Sequence, residues 1–188
     1  MLSAELKETT KIIHQLLEKK LAVQLKSVGD KEDYIKVLHL FYSFFAALEV
    51  PVSKHLDLYF LPDYAQRRKT KALANDLKFF GIIPLPALAD KIFLPEIKNH
   101  LQALGVLYVM EGSTLGGKII SKMMSRQSGI SGMYGLSFFN GYEDQTERMW
   151  LTFKQAIDQY IIQDEKAIVI QSANDTFIKF SNWFDLHL

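Results

Sequence analysis

Apolar residues recur three and four positions apart along almost the whole chain, and no stretch alternates apolar and polar residues over the length of a strand. That pattern predicts an all-α fold, because helix stripes of this kind are buried by packing against one another. Leu2, Leu6, Ile13 and Leu17 mark a first helix from Ser3 to about Lys20, with Ser3 as its N-cap. V-G-D-K is a turn, and Asp30 caps a second helix from Lys31 to about Phe60, in which Pro51 predicts a kink or break. A third helix is expected from Tyr64 to about Phe80, carrying the basic run Q-R-R-K-T-K. G-I-I-P-L-P is a loop; Pro95 then opens a long helix to about Ser125. Q-S-G-I-S-G-M-Y-G-L is a glycine-dotted loop. D-Q-T-E resembles a capping box before a helix from Thr146 to Gln163, and a last helix spans Glu165 to Phe184. With no repeat or linker in 188 residues, one domain spanning 1–188 is expected, a multi-helical bundle.

Composition narrows the chemistry. The net charge is +1 and no basic stripe stands out, so no nucleic-acid partner is expected. The absence of cysteine removes disulfides, thiolate nucleophiles and cysteine-bound zinc. The first residues are charged from Glu5 onward and lack a signal-peptide core. The longest apolar run, Leu38 to Val52, is interrupted by His39, Ser43 and Glu49 and is shorter than the roughly 18 residues of a membrane span. A cytoplasmic protein without a membrane partner is the expectation.

The costly feature is E-G-S-T-L-G-G-K-I-I-S-K, Glu111 to Lys122, inside a helical pattern. Each interior glycine weakens a helix by about 1 kcal/mol relative to alanine. A phosphate-binding loop would need a hydroxyl where Ile119 stands. The spacing of Gly112 and Gly116 also allows close helix approach. A third reading is that glycines on one face let a flat, rigid ligand lie against bare backbone. Histidine is the natural partner for such a ligand if it carries iron. His39, His55 and His100 read as surface or boundary residues and His187 as frayed. His14 sits at the margin of the first apolar face, with Lys7 two turns before it and Glu18 one turn after it. Glu18 offers a carboxylate to the second ring nitrogen, and Lys7 a cation for acidic groups on the ligand. No E-x-x-H, H-E-x-x-H or G-x-S-x-G is present.

L-K-E-T-T-K-I-I-H-Q-L-L-E, Leu6 to Glu18, resembles the first helix of haem oxygenases, and Y-V-M-E-G-S-T-L-G-G-K-I-I resembles their distal helix. With G-L-S-F-F-N-G-Y and Trp150, the chain looks most like the bacterial, bacteriophytochrome-associated branch. The resemblance implies a haem oxygenase fold and the oxidative cleavage of haem b, both substrate and cofactor, to biliverdin, CO and ferrous iron. It implies O2 and electrons from an external donor, ferredoxin or a flavin reductase, with a biliverdin-using phytochrome as a further partner. His14 would be the proximal iron ligand, backed by Glu18. Gly112, Gly116 and Gly117 would form the distal wall, with Ser113, Thr114 or backbone carbonyls ordering the water that delivers protons. Lys7 and Lys154 would meet the propionates, Phe177 would pack near the haem, and Tyr108 would stand by the distal pocket.

Two positions depart from the family pattern. Ser113 stands where mammalian-type members carry an aspartate, and Asp158 where an arginine is usual. Arg67, Arg68, Lys69 and Lys71 are read either as a docking surface for an acidic donor or as a solvated helix face. The alternative function is a haem carrier or sensor that does not turn over its ligand.

Overall fold

The structure, a computed structural model, describes residues 1–127 and 134–188. Six α-helices make up the described chain: α1 (Leu2–Ser27), α2 (Lys31–His55), α3 (Lys71–Phe79), α4 (His100–Gln127), α5 (Thr146–Tyr160) and α6 (Lys166–His187). No strand occurs among the described residues. One core joins them. Tyr34, Phe41, Phe44 and Phe45 of α2 meet Phe138 and Phe139 of the α4–α5 connection and Phe180 and Trp183 of α6. α4 packs most extensively on α6, and α1 lies along α6.

Capping decides several boundaries. Asp30 accepts the Asp33 amide at 2.9 Å and starts α2 as its sequence predicts. α4 begins at His100, not Pro95. Asn99 accepts the Gln102 amide at 2.9 Å, and the Gln102 side chain accepts the Lys98 amide at 2.7 Å, a reciprocal cap spelled N-x-x-Q. Ser3 lies inside α1 rather than capping it, and its amide donates to Asp158 of α5 at 2.7 Å. Asp144 leaves α5 uncapped; its nearest cation is Lys118, at 3.8 Å.

α2 continues through Pro51 without a break and stops at His55. By length and composition α2 could cross a membrane, contrary to the sequence reading, yet half of its most apolar stretch is buried in the bundle. The helix expected from Tyr64 to Phe80 is split. A single 3-10 turn, Tyr64–Gln66, is followed by extended backbone at Arg67 and then by α3. The reason lies in the basic run, whose first two arginines turn inward. Of the glycine-dotted loop, residues 128–133 lie outside the described residues. His187, expected to be frayed, is helical and lies over the Trp183 ring at 3.6 Å.

Candidate functional site

Ser3, Lys7, Thr10 and His14 form one stripe along α1. Helix α5 runs antiparallel to this stripe: Ser3 bonds Asp158, whereas Thr10 lies beside Tyr108, and Tyr108 lies 5.3 Å from Trp150. Helix α5 is antiparallel to α4 as well, since Leu104 shares a crevice with Ile157, Gly112 faces Trp150, and Lys118 meets Asp144. Helices α1 and α4 are therefore parallel, touching at Thr10 and Tyr108. The next stripe position on α1 is His14, level with Gly112 and Gly116 on α4. Two motifs about a hundred residues apart thus come to the same level on neighbouring parallel helices, and the space between them is the candidate gap.

The His14 side chain is 48% exposed. Its Nε2 lies 3.5 Å from Glu18 Oε1, and the Phe177 ring of α6 stands 5.2 Å away, tilted by 50°. Nε2 thus has a carboxylate neighbour at ion-pair distance. Lys7 is exposed. Lys154 is half-buried one turn from Asp158, its Nζ 5.8 Å from the Trp150 ring. The antiparallel pairing of α1 and α5 places Lys7 and Lys154 between the Ser3–Asp158 bond and Thr10, on one side of the gap. Tyr108 is buried beside Thr10, and burial pushes its phenol upward.

The glycines divide by what a side chain would meet. A Cβ at Gly105 would lie 2.5 Å from the Val169 carbonyl oxygen, so this glycine seats α4 on α6. A Cβ at Gly117 would collide with the Phe139 carbonyl; Gly117 packs on the α4–α5 connection rather than lining the gap as the distal wall. At Gly112 a Cβ would meet only the edge of the Trp150 ring, at 3.7 Å, and at Gly116 it would meet nothing within 4 Å. Leu115 and Ile119, which flank that stripe, are exposed at 42% and 70%. An open strip of backbone bordered by exposed apolar side chains suits a flat apolar ring.

Ser113 and Thr114 turn elsewhere, which corrects their expected role. Ser113 Oγ donates to the Met110 carbonyl at 2.7 Å and accepts from Arg68 at 2.7 Å. Thr114 is buried, with its hydroxyl on the Glu111 carbonyl at 2.6 Å. Neither hydroxyl proton is free for a water in the gap.

The arginines behind α4 are what sequence reasoning missed. Arg67 is 2% exposed and bonds Glu111 at 2.7 Å and Asp63 at 2.8 and 3.0 Å. Glu111 also accepts from the Tyr142 hydroxyl at 2.9 Å, and burial raises that phenol strongly. Arg68 donates to the Met110 and Phe138 carbonyls and lies 3.9 Å from the centre of the Phe138 ring. Burial lowers its guanidinium to about 10. Lys69 sits 3.0 Å over the Tyr64 ring, and only Lys71 is exposed. The run is neither a docking patch nor a solvated face. The available signal was Glu111 itself, an acid inside an apolar helix that needed a buried cation.

The gap fits haem: an imidazole on one side, a strip on the other that side chains would fill, and two lysines at one edge. A family model described as "Heme oxygenase" matches residues 1–186. The chain is 29% identical over 131 residues to a heme oxygenase of Xanthomonas campestris pv. campestris (strain 8004), spanning 69% of this chain and 74% of that protein. It is 25% identical to a heme oxygenase of Rhodella violacea, spanning 94% and 82%. Among solved structures, it superposes with a TM-score of 0.83 on the NO- and CO-bound heme oxygenase of Neisseria meningitidis, at 23% identity, covering all of this chain and 92% of that one. Heme oxygenase-1 of the cyanobacterium Synechocystis in complex with heme gives 0.74 at 21% identity, over 98% and 91%. These two superpositions speak for the fold, and the family match across nearly all of the sequence speaks for descent. The chain belongs to the heme oxygenase family.

Proposed function

We propose that this chain binds haem b between α1 and α4 and opens it to biliverdin, CO and ferrous iron. The observation that carries the reading is the bare backbone of Gly116, where nothing stands within 4 Å of a would-be Cβ, on the helix that runs parallel to the one bearing His14. Bound haem supplies the iron that takes up O2, with electrons from an external donor, a ferredoxin or a flavin reductase.

The residues do the rest. His14 offers an imidazole, and the Glu18 carboxylate beside it is placed to orient the ring. Phe177 backs the ring and limits its rotation. Lys7 and Lys154 take the propionates at the edge of the gap. On the other side the bare backbone of Gly112 and Gly116 admits a ligand close to the helix, and it leaves main-chain carbonyls, each with a second lone pair, as the polar groups facing the reacting edge. We place the reaction in the cytoplasm, with a biliverdin-using phytochrome as the consumer of product.

The test is to mix haemin with the purified protein and follow the visible spectrum after adding a reductant in air. The reading predicts a histidine-ligated Soret band that decays as biliverdin absorption grows. A Soret band that survives reduction in air marks a carrier and contradicts turnover.

A further inference from the structure

We propose that Trp150 decides which meso carbon of the haem is opened, by acting as a fixed wall along one edge of the macrocycle. The inference rests on the reading of the α1–α4 gap as the haem site. Trp150 projects from α5 at the level where α1 and α4 touch. Its ring stacks at 5.8 Å and 19° on Phe153, which is fully buried, and packs at 5.3 Å against Tyr108, itself buried. Two faces of contact leave the indole little freedom. Its six-membered ring is what a Cβ at Gly112 would meet, with Cη2 at 3.7 Å and Cζ3 at 4.0 Å. The indole therefore flanks the start of the open strip.

A flat ring sliding between α1 and α4 stops against that edge. Haem is unsymmetrical at its rim, with methyl, vinyl and propionate groups in a fixed order. A rigid wall on one side therefore distinguishes one in-plane orientation from another. Lys154, one turn further along the same helix, has its Nζ 5.8 Å from the indole centre. Wall and propionate-binding cation are thus a rigid pair on α5, and their spacing sets the register of the rim under Gly116. Changing the wall moves the register, and the carbon beneath the bare backbone changes with it.

The experiment replaces Trp150 by Phe and by Leu. Chromatography of the released biliverdin gives the isomer ratio, and the haem methyl resonances of the cyanide-bound ferric complex give the seating without turnover. The proposal predicts a redistribution among isomers of about tenfold in at least one variant, the scale of one altered apolar contact. A matching change in the methyl pattern accompanies it, while haemin affinity stays within about threefold, the scale set by partial loss of one such contact. Unchanged isomers and an unchanged methyl pattern in a haemin-loaded Trp150→Phe protein overturn it. That variant keeps an aromatic ring on Phe153, so the proposal remains testable even if Trp150→Leu fails to fold. Failure of the wild-type chain to bind haemin is a separate result, which removes the site itself.

Discussion

At the scale of the residue, four glycines in one helix do two different jobs. Gly105 and Gly117 are occupied from outside, by the Val169 and Phe139 carbonyls, and are there for packing. Gly116 is occupied by nothing, which is a poor use of a glycine unless a ligand fills the space. Substitutions separate the two. Gly117→Ala forces the α4–α5 connection away from α4 and is expected to cost about 1–3 kcal/mol in chemical denaturation, the range for overpacking. Gly116→Ala is expected to leave stability unchanged or raise it by about 0.5–1 kcal/mol, because alanine is the better helix former. Gly116→Leu abolishes haem turnover while helical circular dichroism persists; normal turnover in that variant contradicts the steric argument. The sequence distinguishes none of these glycines from the others, since what each one faces is decided by helices that are distant in the chain. The neighbourhood of His14 and Glu18, by contrast, was legible, because the i,i+4 spacing on a helix is local geometry.

At the scale of the element, α4 is held from behind by charge. Asp63, Arg67, Glu111 and Tyr142 form a largely buried network, and Arg68 bonds the main-chain carbonyl of Met110 on α4, two residues before Gly112. Removing one partner of a buried pair strands the other charge. Arg67→Ala is therefore expected to cost about 3–5 kcal/mol, read as a fall in the denaturation midpoint. The double change Arg67→Met with Glu111→Leu removes both charges and is expected to recover most of that loss. A single variant as stable as the parent denies the network its role. Helix existence was legible from periodicity, and Asp30 from its position before an apolar run. The break at Arg67 was not, because a run of basic residues ordinarily lies in solvent. Asp158 was likewise opaque: its task is to hold the first turn of α1 from α5, 155 positions away.

For the whole molecule, burial sets the acid limit. His39 and His100 each bury Nε2 without a hydrogen-bond partner among the described residues, and burial holds both rings below their usual 6.5. The unfolded chain then binds their protons first as pH falls. Their contribution is complete above pH 6.5 and is lost as pH drops through the lower folded-state values. Thermal midpoints are expected to fall between about pH 7 and pH 5, and His39→Gln with His100→Gln should flatten that slope, given the linkage between proton binding and stability. A slope unchanged in the double variant assigns the acid sensitivity elsewhere. The bundle as a whole comes down to two parallel helices, touching at Thr10 and Tyr108, with bare backbone one turn later at Gly112 and Gly116. The most direct test is the spectrum of the ferric haem complex of His14→Ala, recorded with and without added imidazole. The account predicts loss of the histidine-ligated Soret band and its return with imidazole. A variant that keeps the wild-type spectrum without imidazole contradicts it.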